Sequence, residues 1–242
     1  MTPMKPKNVN IDDIVFNDVK RNDYGGKSVP VTYNGRPFII QTPMMVCPFG
    51  ISKREDDETG RVKYYIEVSF RDLDTNKAIE HFYKFLEKAD THLVKNGAEN
   101  AKKWFGKNHS EEVLDSALLQ RQIRFPIDKE TGEISQKYSP TFKMRIPFYN
   151  ERFTADVYDD AKVKLASEDV EDMLVKRCKV RAILSCSNVW LVGGKFGLQW
   201  RMQQLQVQPN KDEIQGFIFQ DDDDEINDNG GASASDFYGD NE

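Results

Sequence analysis

Three short runs of the chain set Lys and Arg at alternate positions, opposite an apolar set. Arg61, Lys63 and Tyr65 alternate with Val62, Tyr64, Ile66, Val68 and Phe70. Lys143 and Arg145 alternate with Phe142, Met144, Ile146 and Phe148. Arg177, Lys179 and Arg181 alternate with Cys178, Val180, Ala182, Leu184 and Cys186. This is the period of a half-buried strand, so each run predicts a strand with a cationic outer face. Lys195 and Arg201 follow, among the aromatics Trp190, Phe196 and Trp200. Lys102-Lys103-Trp104-Phe105-Gly106-Lys107 is a second basic and aromatic cluster, in which Trp104 is either part of a clamping loop or the buried pin of a helix end. Cations neutralise phosphates and rings stack on unpaired bases, at ~1–3 kcal/mol per base. For any one residue an ordinary solvated sheet face is the competing reading, but the same bias recurs in three strands.

Enzyme chemistry has little to work with. His81, His92 and His109 show neither H-E-x-x-H spacing nor a cysteine at zinc distance. There is no G-x-S-x-G elbow and no Walker A sequence. Gly193-Gly194-Lys195-Phe196-Gly197 joins two strand-like runs rather than a strand to a helix, which argues against a phosphate loop. Asp156, Asp159 and Asp160 are the one carboxylate group in the body that a nuclease or phosphoesterase could use. No metal or other cofactor is expected.

The acidic residues concentrate at the other end. The last twenty-two positions hold nine acidic side chains and no Lys or Arg, beginning with Asp221, Asp222, Asp223, Asp224 and Glu225. The chain as a whole is 34 basic against 40 acidic, net −6, so residues 1–220 alone are 34 against 31, net +3. A basic body attracts a polyanion, and an acidic tail competes for the same surface. Phe237 and Tyr238 form the tail's lone aromatic pair.

The elements that must position these groups are mostly strands. Asn34-Gly35 and Gly193-Gly194 supply the positive φ of tight hairpins, and Glu58-Thr59-Gly60 and Glu130-Thr131-Gly132 mark two more turns. Beyond Trp200 and Met202 the apolar phase flips to Leu205 and Val207, which predicts a β-bulge near Gln203-Gln204. Ala78, Phe82, Phe85, Ala89 and Leu93 recur at three- and four-residue steps, predicting an amphipathic helix between Thr75 and Lys95 ended by Asn96-Gly97. Ser110 is placed to cap a second, short helix, and a third runs from Ser167 to Val175. From about Gln220 onward Gly, Ser, Asn and Asp dominate without periodicity, so a disordered tail is expected.

No stretch approaches the ~20 apolar residues that span a bilayer. Met1 to Lys7 lack a secretory h-region, and Cys47, Cys178 and Cys186 are too few for a disulfide framework. An intracellular, reducing compartment is the expectation.

The layout also carries a family resemblance. Its residues are Cys178-Lys-Val-Arg-Ala-Ile-Leu184, Asn188-Val-Trp-Leu-Val192, the Gly-Gly-Lys turn and Phe196-Gly-Leu-Gln-Trp200-Arg-Met-Gln-Gln-Leu-Gln-Val207. With Pro43-Met-Met-Val-Cys-Pro-Phe-Gly-Ile51 and Phe142-Lys-Met-Arg-Ile-Pro-Phe148, they resemble the single-stranded DNA-binding proteins of large nucleocytoplasmic DNA viruses. Those are related to the phage gene 2.5 type, and the resemblance spans roughly residues 10–210 and the character of the tail. It implies a mainly β, OB-fold domain over 1–219, a five-stranded Greek-key barrel with extended strands. A helical insertion falls at about 75–120 and a disordered acidic tail over 220–242. It implies a non-enzymatic protein that coats single-stranded DNA without sequence preference during viral replication, recombination or repair, at a nuclear or cytoplasmic replication site of the host. In that family the tail occludes the DNA site and contacts replication proteins such as DNA polymerase, and dimerisation through it is a further expectation. Phe237 matches the anchoring aromatic, although five residues follow it here. Nothing in the sequence reads the 2′-hydroxyl, so RNA stays open beside DNA. The other reading is an acidic-tailed interaction module or chaperone for basic proteins, which the basic strand faces disfavour.

Overall fold

A computed structural model describes residues 2–21, 26–57 and 60–210. The chain begins with short strands β1 (Ile14–Phe16) and β2 (Lys20–Arg21), which both pair with β3 (Lys27–Tyr33). Asn34 and Gly35, at φ 48° and 74°, turn the chain into β4 (Phe38–Gln41), as their types predict. Then follow β5 (Met45–Val46), β6 (Ile51–Glu55) and β7 (Val62–Ser69). The helices α1 (Lys77–Glu99), α2 (Ala101–Phe105) and α3 (Glu111–Val113) come next, the last continued by a π turn over Leu114–Leu118. Strands resume with β8 (Ile123–Arg124), β9 (Thr141–Ile146), the hairpin β10 (Phe148–Tyr149) with β11 (Arg152–Phe153), and β12 (Asp156–Tyr158). After a short α4 (Val170–Met173) the chain closes with two long strands, β13 (Lys179–Val192) and β14 (Lys195–Gln208).

Pairing makes this a barrel. The bent run of β4, β5 and β6 belongs to two sheets: β4 and β5 pair with β13, while β6 pairs with β7. β7 pairs with β9, β13 with β14, and β9 packs against β14. The strand order is therefore bent run, β7, β9, β14, β13 and back to the bent run, the five-stranded Greek key of an OB barrel. The mainly β architecture with a helical insertion that the sequence implies is the observed one. β1, β2, β3 and β12 widen the side built on the long hairpin.

The alternating residues bury as their period requires: Tyr64, Ile66 and Val68, then Phe142, Met144 and Ile146, then Val180, Ala182 and Leu184 are all buried. The expected bulge is at Gln203, which has no partner between Ile183↔Gln204 and Leu184↔Met202. A second, at Ser187, moves the buried set from the even positions ending at Cys186 to Val189; the unbroken apolar run Val189–Val192 masks that change of phase in the sequence. Helix α1 packs Ile79, Phe82, Phe85, Leu86, Ala89 and Leu93 into the core, and Asn76 caps it by accepting from the backbone N–H of Ala78 at 3.0 Å. Ala78, expected on that face, is exposed.

One helix boundary differs from expectation. Asn96-Gly97 does not end α1, which runs on to Glu99. Gly97 is there for close packing: a Cβ would sit 3.3 Å from Leu114 Cδ1, 3.5 Å from the Trp104 ring and 3.6 Å from the Phe196 ring. The left-handed stop comes instead at Gly106, φ 82°, after α2. The Glu58-Thr59 turn, the boundary near residue 220 and the tail residues Asp221 to Glu225, Phe237 and Tyr238 lie outside the described residues.

Candidate nucleic-acid interface

In an OB barrel the outer face of strands 2 and 3, with the 1–2 and 4–5 loops, is where oligonucleotides bind. Here those strands are β7 and β9. Their register puts Tyr65 opposite Arg145 and Glu67 opposite Lys143, while β6 adds Arg54 opposite Lys63 and β8 adds Arg124 opposite Thr141. One face thus carries five cations, Arg54, Lys63, Arg124, Lys143 and Arg145, around a single ring, Tyr65. Alternation dictates this, because the same strands turn Tyr64, Ile66, Met144 and Ile146 inward.

Two carboxylates temper the charge. Glu67 Oε1 lies 3.6 Å from Lys143 Nζ and 4.0 Å from Arg124 Nη1. Asp56 Oδ2 is 2.7 Å from Lys63 Nζ. Lys143 Nζ also sits 4.3 Å from the Tyr65 ring centroid, so a cation covers one ring face. Arg145 is exposed and makes no ion pair among the described residues. Tyr65, Arg54 and Lys63 line a hollow of about 390 Å³ with Glu55 at the end of β6 and Asp56 and Asp57 of the 1–2 loop. Arg61 is exposed where that loop enters β7, its carbonyl accepting from Asp56 N–H at 3.0 Å.

Buried polar groups hold the face in place from behind. Tyr64 donates to Glu171 at 2.8 Å, and burial with that carboxylate pushes its hydroxyl up to about 12. Asp90, buried on α1, accepts from the backbone N–H of Gln122 at 3.2 Å and from its Nε2 at 2.9 Å. Gln122 in turn accepts from Trp200 Nε1. This network anchors the chain just before β8 and so positions Arg124. Burial pushes the Asp90 carboxyl up to about 6, against the two hydrogen bonds that hold it down.

The remaining predicted residues do not join this face. Arg177 stands in the turn before β13, at φ 65° and outside the strand that its alternation predicts, while Lys179 and Arg181 open β13 in the other sheet, where Arg181 Nε donates to Gln206 Oε1 at 2.7 Å. Further along, that sheet's outer face is rich in amides and hydroxyls, with Ser185, Gln203 and Gln204 surrounding Arg201 rather than more cations. Lys195 is at the 4–5 hairpin, where Gly193 and Gly194 adopt φ 58° and 79°. It shares a cavity of about 320 Å³ with Lys27, Lys107 and His109.

Of the two readings that the sequence leaves open for Trp104, the structure excludes the nucleic-acid contact. Its side chain is 3% exposed and packs edge-on against Phe16 and Phe105, so it is the buried pin of the helix end and offers no stacking surface. Phe196 is likewise core. Trp200 lies against Phe38 and Phe85, and the Trp190 ring covers Gly197. Arg54, Arg124 and Lys27 were not singled out from the sequence as contacts. β6 is exposed along nearly its whole length, so no apolar alternation marks it, and β8 is too short to show a period.

Among the described residues no group of three His, Cys, Asp or Glu side chains is placed to hold an ion. Asp156 pairs with Lys164 at 2.6 Å and Asp159 accepts from Val163 N–H at 2.7 Å.

No protein-family model matches the chain. It is 23% identical over 195 residues to the uncharacterized protein L291 of Acanthamoeba polyphaga mimivirus, covering 77% of this chain but 29% of that protein's length. Among solved structures it is similar to the single-stranded DNA-binding protein of bacteriophage Enc34 in complex with single-stranded DNA. That likeness has a TM-score of 0.45 at 14% identity, over 82% of this chain and 97% of the phage chain. A C-terminal truncation of the phage protein gives 0.44 at 13% identity, over 85% of this chain and 100% of the phage chain.

Proposed function

We propose that this chain is a non-enzymatic protein that binds single-stranded DNA without sequence preference and covers exposed strands during viral DNA replication, recombination or repair. The observation that carries the reading is the outer face of β7 and β9, where five cations surround Tyr65 on the side of an OB barrel that suits oligonucleotides. Phosphates meet Arg145, Lys63 and Lys143, and an unpaired base has Tyr65 as its nearest ring. The Lys195 hairpin, with Lys27 and Lys107 beside it, extends the path at the 4–5 loop.

The tail acts by competition. Its nine acidic residues, held at high effective concentration by the chain itself, screen the cationic face until DNA displaces them. Once released, they and Phe237 are available to a basic, apolar pocket on a replication protein such as a DNA polymerase. Photo-crosslinking of an oligo-dT to the full-length chain tests the site directly. The expected adducts fall in Val62–Ser69 and Thr141–Ile146, and adducts confined to other segments would refute the assignment.

A further inference from the structure

Phe49 is the most exposed phenylalanine among the described residues, at 63%, although burying such a ring is worth roughly 1.5–3 kcal/mol. The backbone around it is fixed on both sides. Cys47 N–H donates to Cys178 O at 2.8 Å, Cys47 O accepts from Arg177 N–H at 2.8 Å, and Ile51 N–H donates to Leu174 O at 2.8 Å. Gly50 lies at φ 68°, where a Cβ would fall 2.5 Å from Leu174 O, so the backbone next to Phe49 is pressed against that segment with no room for a side chain. Opposite, Arg177 adopts φ 65°, a conformation that costs a side-chain-bearing residue of order 1 kcal/mol or more and tends to persist at functional sites. The result is a rigid finger with an aromatic tip.

Its surroundings define the ligand. The segment that clamps the finger carries Lys176, Arg177 and Lys179, all exposed. Beyond it, Ile51 opens β6 and leads directly into the strands of the cationic face. The Phe49 loop is therefore the covalent and hydrogen-bonded link between the two basic groups that the sheets otherwise separate. Of the nearby acids, Glu171 is engaged by the Tyr64 hydroxyl.

We infer that Phe49 is a base-stacking platform for a single strand, with Lys176, Arg177 and Lys179 taking the adjoining phosphates. This rests on the single-strand reading above and extends the bound path beyond β7 and β9 to the start of β13. A ring held out by its backbone loses little conformational freedom on binding, which is what a stacking platform needs.

The test compares full-length wild-type chain with Phe49→Ala and Phe49→Trp, using fluorescence anisotropy on a dT oligonucleotide and on an abasic oligonucleotide of equal length. Stacking predicts that Phe49→Ala weakens dT binding about five- to tenfold, leaves abasic binding unchanged, and that Phe49→Trp keeps the wild-type affinity for dT. Equal affinities of wild type and Phe49→Ala for dT overturn the inference. So does an equal loss on both oligonucleotides, which would make the finger a structural support. If wild type itself binds neither oligonucleotide at low salt, the single-strand reading fails and the inference falls with it.

Discussion

Glu67 is the residue whose removal should improve the protein at its proposed task. Its carboxylate sits 3.6 Å from Lys143 and 4.0 Å from Arg124, at the centre of the cationic face. A phosphate seated on Lys143 would lie about 6–7 Å from that carboxylate. At such a separation two unit charges repel by about 0.6 kcal/mol in bulk water and about 2.5 kcal/mol at an effective dielectric of 20. Physiological salt roughly halves this. Glu67→Gln should therefore tighten binding of a dT oligonucleotide by about 0.5–1 kcal/mol, or two- to fivefold, with a larger gain at low salt. The cost to the fold is small, because exposed and half-exposed ion pairs contribute about 0–1 kcal/mol and a Gln oxygen can still accept from Thr141 Oγ1, now at 3.2 Å. Anisotropy titrations over a salt series, with melting temperatures recorded in parallel, measure both quantities. An unchanged or weaker affinity in a variant that melts normally would show that strands do not pass over this face.

Two further outcomes follow from the same geometry. Arg145→Ala, which removes an exposed cation with no ion pair among the described residues, should lower the salt slope of single-strand binding by about 0.7 and leave stability unchanged; an unchanged slope would count against the site. Asp90 tests the support behind β8: its folded value near 6 lies above the ordinary 3.8, so its contribution to stability is full below about pH 4 and is lost as pH rises through 6. The wild type should lose about 2–3 kcal/mol of unfolding free energy between pH 4 and 7 relative to Asp90→Asn, and parallel denaturation profiles would refute the account of that network.

The barrel strands were legible because their burial is one-sided. A residue such as Ile66 between Tyr65 and Glu67 is marked by its own alternation, and Gly193-Gly194 by its turn chemistry. The site was legible only strand by strand. Lys63, Tyr65, Lys143 and Arg145 share a face because β7 pairs with β9, but Lys179 and Arg181 have the same local pattern in another sheet. Which sheet a strand joins depends on non-local pairing, which alternation does not encode. The choice between two roles for Trp104 and the true role of Gly97 escaped the sequence for one reason: each packs against residues distant in sequence, Phe16 in one case and Phe196 in the other. A basic cluster around an aromatic looks the same whether the ring points into the core or out of it.

The most direct test of the central claim is anisotropy of a labelled oligo-dT, with duplex DNA as competitor, against the full-length chain and a truncation ending at Gln220. The account predicts that both bind the single strand in preference to duplex and that the truncation binds more tightly, because removing nine acidic residues turns the net charge from −6 to +3. If neither binds the single strand at low salt, the cationic face of β7 and β9 is not a nucleic-acid interface, and basic protein partners become the ligands to seek.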